Sequence, residues 1–340
     1  MRPELRLEPV PFEALRGWRD DPVEDAWASF LASAAAILQD APPLRPASPP
    51  EPALRAVARL AVEQGAPDGS RAFFQSRFTP HLVASDGFVT AYYEPRLDGA
   101  LRRSADFTAP ILARPRDLGL RTDPYPDRRA VRAGAIADQT VPVVWLRDSV
   151  EVFLVQVQGS ARVRLPDGRV LRLIYDGRNG HPYTSIGRIL IETGAVAPDA
   201  MSLAVLKGWL RDNGADAGGV ADEIMNRNRS YVFFRAVEDA DGEGPLGGQG
   251  VPLRELRSLA VDRTVWPYGL PFWVEAALPG PGGTPAPFPR LMVAQDTGSA
   301  ILGPARADLF FGSGPAAGDW AGSIRHPANL AVLLPRGGFA

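Results

Sequence analysis

Apolar residues in the first quarter of the chain recur at helical spacing. Residues 23–38 carry them at steps of three and four, which predicts a helix with one buried stripe. A second helix is predicted from Ser48, which forms a capping box with Glu51, to a stop at Gly65. A shorter helix is predicted over residues 71–78.

Beyond residue 87 the pattern changes to short runs rich in aromatic and β-branched residues, which are typical of strands. We predict helices only at 185–193, 202–213 and 221–228, and a flexible loop at the proline-rich stretch 279–289. Short strands of this kind favour a small closed barrel over a parallel α/β sheet, so the fold class is mainly β with inserted helices. The predicted strands are 88–94, 141–146, 153–157, 161–165, 170–175, 231–234, 258–261, 272–276, 291–295, 307–311 and 330–334.

Composition adds size and class to this picture. A chain of 340 residues suggests two domains, and 34 glycines with 34 prolines agree with many short strands and long loops. Hydrophobic residues at 45% and charged residues at 22% are normal for a folded globular protein. Collagen, coiled coil and a largely disordered chain are therefore excluded.

Charge and cysteine content exclude further classes. A net charge of −2 does not direct the protein towards nucleic acid or a membrane surface, so we expect no nucleic-acid partner. With no cysteine there is no disulfide framework and no thiolate nucleophile. The first 18 residues lack the apolar core of a signal peptide. Either the protein is cytoplasmic or its targeting segment is absent from this chain.

Common catalytic motifs are missing. The G-x-G-x-x-G at 242–247 contains Pro245 and lacks the following helix that would hold a pyrophosphate. His81, His181 and His326 are scattered along the chain, which argues against a histidine-based metal site or a catalytic triad. We expect no metal and no organic cofactor.

Three aspartates stand at the ends of predicted strands. Asp262 and Asp296 taken alone are typical of Asx turns or loop caps. Asp308 is followed by the apolar run 309–311, so its carboxyl is expected among apolar groups that raise its pKa. A carboxylic acid that is protonated near neutral pH is what protonation of a glycosidic oxygen requires.

Polar and aromatic groups suited to a polysaccharide accompany these aspartates. Tyr92 and Tyr93 beside Glu94 can stack on sugars, although strand alternation sends the two rings to opposite faces and one to the core. The runs 158–160 and 175–183 combine amides, hydroxyls and bare backbone. Such groups suit sugar hydroxyls and N-acetyl amides, and they suit turns equally well.

These stretches together resemble the MltA family of lytic murein transglycosylases. The resemblance runs in order over about residues 75–336, and the segment YDGRNGHPYTSIG with the aspartate motifs is highly specific. The matching stretches are 90–95, 155–160, 175–187, 230–234, 260–263, 294–298, 307–310 and 312–318.

The resemblance implies a fold and a division of the chain. Residues 1–105 and 231–340 would form a discontinuous double-psi β-barrel, the three-aspartate (3D) domain, together with the N-terminal helices. Residues 106–230 would form a second, smaller β-barrel domain with helices. A substrate groove would separate the two domains.

The resemblance also implies the site residues. The family's single catalytic acid maps onto Asp308, and Asp296 would orient it or bear charge near the reacting centre. The residues expected to bind substrate are Tyr92, Tyr93, Glu94, Gln158, Ser160, Asn179, Tyr183 and Asp262. The chain departs from the family with Ala161, Arg229 and Ser299, where many members carry glycine, proline and glycine. None of these changes removes an ionisable group, so they bear on loop shape and substrate fit rather than on the reaction.

The activity implied by the resemblance is cleavage of the β-1,4 bond between N-acetylmuramic acid and N-acetylglucosamine in peptidoglycan, yielding 1,6-anhydromuramic acid. One alternative is a hydrolase on the same bond, with Asp296 or Glu94 positioning a water. Another is a non-catalytic wall-binding protein. The implied partners are glycan strands and enzymes of wall synthesis or turnover, with the protein a monomer in the periplasm at the outer membrane, although the lipidation cysteine is absent from this chain.

Overall fold

The structure is a computed structural model that describes residues 5–66, 68–120, 124–239, 243–280 and 284–337. It is mainly β, with helices concentrated in the first third and in the middle of the chain. The helices of these described residues are α1 (Val23–Leu38), α2 (Pro52–Gln64), α3 (Ser70–Arg77), α4 (Arg128–Arg132), α5 (Ser149–Gln158), α6 (Ile186–Glu192), α7 (Leu203–Asp212), α8 (Val220–Arg227) and α9 (Pro315–Ala321).

Most of the described strands are short, as the sequence predicted, although five run to eight residues or more. They are β1 (Leu7–Pro9), β2 (Phe78–Val83), β3 (Phe88–Glu94), β4 (Arg96–Ala100), β5 (Ala109–Leu112), β6 (Pro142–Leu146), β7 (Ser160–Arg164), β8 (Val170–Arg178), β9 (Val232–Glu238), β10 (Ser258–Val261), β11 (Pro271–Pro279), β12 (Pro285–Asp296), β13 (Arg306–Ser313) and β14 (Arg325–Pro335).

The first compact unit combines three parts of the chain: the described residues up to Tyr93, Leu246–Gly312, and the residues from Ser323 onward. Its sheet has the strand order β1-β2-β14-β11-β12-β10-β13-β3. Because β3 also pairs with β14, the six strands from β14 to β3 close into a barrel. The predicted closed barrel of short strands is confirmed for this unit.

The second compact unit comprises Glu94–Pro245 and Ser313–Gly322. Its sheet has the strand order β5-β6-β4-β7-β8-β9. Aliphatic side chains from β6, β7 and β8 form a core on this sheet. Helix α5 contributes to the core and packs against β5 and β6. A second core forms between α5, α6, α7 and α8. No ladder among the described residues joins β5 to β9, so a second closed barrel stays a prediction.

The bounds of the second unit differ from the predicted 106–230. It begins at Glu94 because β4 pairs with β6 and β7, and it extends to Pro245 because β9 continues the pairing with β8 as far as Glu238. It also includes α9, which packs against α7. Strand pairing, which the sequence does not display, decides these bounds.

The predicted start of α2 at Ser48 is wrong. The helix begins at Pro52, and Glu51 is its N-cap with an extended backbone at φ −61° and ψ 154°. A residue that precedes proline is disfavoured in the helical region, while proline itself suits the first helical position. The Ser48 N–H instead donates to the Arg263 carbonyl at 2.9 Å.

The predicted strand at 153–157 is also wrong, because this segment lies in α5. The helix is capped by Asp148, whose carboxylate accepts a hydrogen bond from the Glu151 N–H at 2.8 Å. Its apolar residues are buried around most of the helix surface, which removes the one-sided pattern of an exposed helix. A run of valines with one phenylalanine therefore resembled a buried strand.

The predicted flexible loop at 279–289 forms a hairpin instead, apart from residues 281–283, which lie outside the described residues. Strands β11 and β12 pair antiparallel from Pro279 and Pro285 inward. Pro285, Pro287 and Pro289 occur at every second position, so their missing N–H groups all face the same side of β12. There β12 runs beyond its partner β10, which pairs only with Val293–Asp296.

Candidate active site

Three neighbouring strands of the first unit carry the three aspartates singled out in the sequence. Strand β10 lies between β12 and β13, and its Ala260 is in register with Asp296 on one side and with Asp308 on the other. Adjacent strands are about 4.8 Å apart, so the backbones of Asp296 and Asp308 lie about two strand spacings from each other. Asp262 follows at the end of β10. Strand register thus brings the three aspartates to one part of this sheet.

Asp308 is held by a short chain of hydrogen bonds. Its Oδ1 accepts a close hydrogen bond from the Thr90 hydroxyl on β3, the strand next to β13. Thr90 Oγ1 in turn accepts a hydrogen bond of 2.6 Å from Arg306 Nη2. Within the described part of the chain, the second oxygen of Asp308 has no hydrogen-bond partner. One carboxylate oxygen is thus fixed in position, while the other has no donor among the residues that the structure describes.

Burial raises the pKa of Asp308 above its ordinary value. The negative charge of Asp296 adds to this rise, whereas the Arg306 guanidinium and the Thr90 hydrogen bond act against it. The neighbouring Phe310 and Phe311 are buried, in agreement with the predicted apolar surroundings. The predicted rise in the pKa of Asp308 is confirmed, and its acid form therefore persists to higher pH than that of a free aspartate.

Asp296 has a different environment. Its Oδ1 accepts hydrogen bonds from the N–H groups of Gly248 at 2.7 Å and Thr297 at 2.8 Å, and its Oδ2 accepts one from the Tyr92 hydroxyl at 2.8 Å. A Cβ at residue 248 would lie 2.5 Å from the Tyr268 hydroxyl. Because glycine has no Cβ, the backbone at Gly248 can lie this close to Tyr268. Both oxygens of Asp296 are committed to protein donors.

Tyr92 and Tyr93 point to opposite faces of β3, as strand alternation requires, and both are buried. The Tyr92 ring lies 5.3 Å from the ring of Phe310. Burial, with the charge of Asp296, raises the pKa of Tyr92 well above its ordinary value, so its hydroxyl remains a donor. Tyr92 shares a face of β3 with Thr90, so the hydroxyls that donate to Asp296 and to Asp308 lie on the same side of this strand.

The Asp262 carboxylate accepts hydrogen bonds mainly from backbone N–H groups. Its Oδ1 accepts hydrogen bonds from the N–H and the hydroxyl of Thr264, at 2.9 and 2.7 Å, and its Oδ2 accepts one of 2.7 Å from the Gly303 N–H. The side chain is 6% exposed. This is the Asx-turn role that the sequence left open, and it ties the segment leading into β13 to the end of β10.

Glu94 belongs to the second unit and is completely buried. Its Oε2 accepts a hydrogen bond of 2.6 Å from the Ser313 hydroxyl and lies 3.1 Å from Arg162 Nε. Its Oε1 has no partner among the described residues. Burial raises the pKa of Glu94. Because its side chain is completely covered, Glu94 offers no surface on which a sugar could stack.

Gln158 and Ser160 flank the C-terminal end of α5. Gly159 between them adopts φ 85°, the left-handed conformation that ends a helix at little cost for glycine. Gln158 is partly buried, and Ser160 opens β7 at 8% exposure. The turn brings the two side chains to the junction of a helix and a strand.

Asn179 is a structural residue in this fold. Its amide nitrogen donates to the carbonyls of Pro126 at 3.0 Å and Arg229 at 2.9 Å, and its oxygen accepts from the Tyr231 N–H at 2.9 Å. These bonds use most of the capacity of a side-chain amide. Tyr183, from the same predicted run, is partly exposed.

Sequence reasoning missed two of the groups nearest to Asp308, Thr90 and Arg306. Thr90 lies inside a stretch that carries the family resemblance and Arg306 directly precedes one, but nothing in the local pattern shows that β3 and β13 are neighbours. Arg45 was missed as well; its N–H donates to the Gly248 carbonyl at 2.9 Å, and its guanidinium makes a close contact with the Thr297 carbonyl. It thus helps to hold the two loops that supply donors to Asp296.

In the residues that the structure describes, no group of three or more histidine, aspartate or glutamate side chains is arranged to hold a metal ion. No helix within the described ranges has both the length and the apolar character needed to cross a bilayer.

Two family models match the chain. The MltA specific insert domain matches residues 88–235, and the 3D domain matches residues 257–334. The first match covers β3 and most of the second unit, while the second begins just before β10 and ends within β14. The aspartates of β10, β12 and β13 therefore all lie in the 3D match.

Two solved structures are similar to this chain over nearly its whole length. A crystal structure of a membrane-bound lytic murein transglycosylase from Agrobacterium tumefaciens is 35% identical, with a TM-score of 0.85 over 97% of this chain and 98% of that chain. A crystal structure of Escherichia coli MltA with bound chitohexaose is 26% identical, with a TM-score of 0.70 over 98% of this chain and 92% of that one.

The comparison of sequences agrees. Membrane-bound lytic murein transglycosylase A of Escherichia coli (strain K12) is 33% identical over 250 residues, which are 72% of this chain and 64% of that protein. The match thus spans somewhat less than two thirds of the length of this curated relative.

Proposed function

Because this chain belongs to the MltA family of lytic murein transglycosylases, we propose that it cleaves the β-1,4 bond between N-acetylmuramic acid and N-acetylglucosamine in peptidoglycan without adding water. The observation that carries the proposal is Asp308. It is an aspartic acid with a raised pKa, one oxygen fixed by Thr90, and a negatively charged neighbour in Asp296. A single such acid suffices for a reaction in which the substrate supplies its own nucleophile.

The proposed reaction has two proton transfers at Asp308. The protonated carboxyl gives its proton to the glycosidic oxygen as the bond to C1 of the muramoyl residue breaks. The resulting carboxylate then takes the proton of the muramoyl 6-hydroxyl as that oxygen bonds to C1, which yields the 1,6-anhydro product. The negative charge of Asp296 raises the pKa of Asp308 for the first step, and the Thr90 hydrogen bond stabilises the carboxylate between the steps.

The contacts of the other carboxylates favour this reaction over hydrolysis. A hydrolase needs a second carboxylate that either activates a water or attacks the sugar. Asp296 has both oxygens engaged by Gly248, Thr297 and Tyr92, and Glu94 is completely buried beside Arg162. Three protein donors leave Asp296 little remaining capacity to hold a water, and burial covers Glu94.

The same observations count against a non-catalytic wall-binding protein. Binding requires no titratable group with a raised pKa, and an aspartate exposed to solvent would serve equally well. The chain instead holds Asp308 in a site that raises its pKa and fixes its orientation through Thr90. Perturbed titration of this kind is typical of acid catalysts.

The residues predicted to bind substrate fall into two groups. Tyr92, Gln158, Ser160 and Tyr183 remain candidates for contact with the glycan, as does Tyr93. Asp262, Asn179 and Glu94, also predicted to bind substrate, have hydrogen bonds that assign them to holding loops and strands. The chitohexaose bound to Escherichia coli MltA supports an oligosaccharide as ligand.

The closed barrel of the first unit is proposed to be a double-psi β-barrel. Its six strands include a parallel pair, β10 and β12, within an otherwise antiparallel set of described pairings. Such mixed pairing distinguishes it from an up-and-down barrel, in which neighbouring strands alternate in direction.

Place and partners follow from the substrate. The relatives are described as membrane-bound, which supports a protein of the periplasm associated with the outer membrane. Glycan strands are the proposed binding partner, and enzymes of wall synthesis or turnover are candidates for association. We propose that the protein acts as a monomer, since the two aspartates and Thr90 all come from one chain.

Mass spectrometry of the products tests this function. Purified sacculi are incubated with the wild-type protein, with Asp308→Ala, and with Asp86→Asn as a control at an exposed aspartate of the same unit. Soluble muropeptides lighter by one water than hydrolytic products are expected from the wild type and the control, and not from Asp308→Ala. Muropeptides with reducing ends would identify a hydrolase instead, and no release by the wild type would favour a binding protein.

A further inference from the structure

One face of the sheet in the second unit carries a row of arginines. In register across β4, β7 and β8, Arg96 is opposite Arg162, and Arg162 is opposite Arg172. Arg164 occupies the next row, opposite Asp98. Like charges directly opposite each other destabilise a sheet. We call these four residues the arginine face.

Two arginines of the arginine face, Arg162 and Arg172, are neutralised by nearby carboxylates. Asp239 lies 3.2 Å from Arg162 Nε and 2.7 Å from Arg172 Nη2, and Glu94 lies 3.1 Å from Arg162 Nε. Arg162 and Arg172 are also nearly buried, with side chains 12% and 11% exposed. These two guanidinium groups are therefore held in place by protein carboxylates.

The outer part of the face is not neutralised in this way. Arg96 is exposed, and no described residue forms a hydrogen bond or ion pair with its guanidinium. Arg164 is 69% exposed and pairs with Asp98, which is itself 45% exposed. An exposed pair of this kind contributes little to stability and opens readily to a competing ligand. Two guanidinium groups thus remain able to bind an added anion.

These side chains line a cleft of about 410 Å³, within the size range of small-molecule sites. Its wall includes Arg96, Asp98, Arg162, Arg164, Val170 and Asp239. The presence of two acidic groups disfavours a multiply charged phosphate and favours a ligand that carries both carboxylate and ammonium groups. A cleft of this volume has room for a few amino-acid residues rather than for one ion.

We propose that this cleft binds the peptide stem of peptidoglycan, with stem carboxylates on Arg96 and Arg164 and a stem ammonium group on Asp98. This inference rests on the proposed function, because the stem peptide is attached to the muramic acid of that substrate. Guanidinium groups match carboxylates in geometry and charge, and Asp98 has the opposite charge needed for a diamino acid. The cleft would make cleavage sensitive to whether the glycan carries peptides.

Direct binding tests the proposal independently of cleavage. The free tripeptide L-alanyl-γ-D-glutamyl-meso-diaminopimelic acid is titrated calorimetrically into the wild type, into Arg96→Gln/Arg164→Gln, and into Arg103→Gln. Arg103 is an exposed arginine of the same unit that does not line the cleft, so it controls for charge. We expect affinity to fall by tenfold or more in the double variant, at about one charged hydrogen bond per arginine, and to be retained in the control.

Cleavage assays separate this proposal from the proposed function. Wild type and double variant are compared on intact sacculi and on glycan strands freed of peptide by an amidase. The double variant is expected to lose rate on sacculi and to match the wild type on peptide-free strands. Equal tripeptide affinity in all three proteins, or equal loss on both substrates, would overturn the cleft assignment. Inorganic phosphate that competes with the tripeptide at equal concentration would show a simple anion site and would also overturn it.

Discussion

At the scale of single residues, Asp308 is held between opposing electrostatic effects. Burial and the charge of Asp296 raise its pKa, whereas Arg306 and the hydrogen bond from Thr90 lower it. A group that must first give up and then regain a proton works best when neither form is strongly favoured. The neighbours of Asp308 supply that balance.

Replacing Thr90 by valine removes the hydroxyl and keeps the shape. The carboxylate form of Asp308 then loses its hydrogen bond, so its pKa rises further and the alkaline limb of kcat/KM moves to higher pH. Because the carboxylate is also less stabilised between the two proton transfers, the maximal kcat/KM is expected to fall about tenfold, the equivalent of one hydrogen bond to a charged group. A pH–rate profile on sacculi measures both effects. Thr90→Ser keeps the hydroxyl and should retain the wild-type profile; an unmoved limb in Thr90→Val would contradict the role of Thr90.

Replacing Asp296 by asparagine removes the negative charge that raises the pKa of Asp308. The amide oxygen can still accept from Gly248 and Thr297, but the negative charge is lost, so the pKa of Asp308 is expected to fall. The alkaline limb of kcat/KM should therefore move to lower pH. The same profile recorded for Asp86→Asn, an exposed aspartate, controls for the loss of one charge. A limb that moves to higher pH in Asp296→Asn would be inconsistent with Asp296 acting through its charge.

The local sequence predicted the burial of Asp308 but not the residues that contact its carboxylate. The apolar run after it was enough to predict burial and a raised pKa. Thr90, by contrast, is 218 residues away along the chain and meets Asp308 only because β3 joins β13. The roles of Asp262 and Asn179 could not be chosen from sequence either, because turn formation and sugar binding use the same polar groups.

At the scale of elements, the strands of the site are fixed by the start of α1. Asp21, 4% exposed, accepts a hydrogen bond of 2.8 Å from Arg257 Nη1 just before β10, and one of 2.9 Å from the Leu291 N–H in β12. One carboxylate thus joins the segment that leads into α1 to the residue before β10 and to β12, the strand that carries Asp296.

Asp21→Ala is expected to lower the free energy of unfolding by about 3–5 kcal/mol, because it leaves the buried Arg257 without its main partner. Urea denaturation followed by circular dichroism measures the change. Asp25→Ala is the matched control, since Asp25 contacts the same arginine at 3.3 Å but is 65% exposed, and it should change stability by less than about 1 kcal/mol. Equal losses in the two variants would contradict the dominant role of Asp21.

Element type was predictable where one periodicity prevailed. The helix at 23–38 and the strand at 258–261 were predicted with their observed bounds. Helix α5 was not, because its valines are buried around most of the helix and leave no one-sided pattern. The proline-rich start of β12 was missed because proline argues against a strand unless the position of its neighbours is known.

At the scale of the whole molecule, the first unit depends on distant parts of the chain. Strand β14, near the C-terminus, pairs with β2, β3 and β11, and closes the barrel through β3. The strand carrying Thr90 and the strand carrying Asp308 are neighbours only in this closed arrangement. Folding of both chain ends is therefore a condition for assembling the proposed acid with its positioning group.

The central claim, a lyase with Asp308 as its acid and base, is tested most directly by digestion of sacculi in water labelled with oxygen-18. Because the muramoyl 6-hydroxyl closes on C1, the new ends should carry no label, and Asp308→Asn should release them about 10²–10⁴ times more slowly, as expected for loss of an acid–base catalyst. Label at C1 of the released muramic acid would show that water is the nucleophile. Release by Asp308→Asn at the wild-type rate would show that another group is the acid.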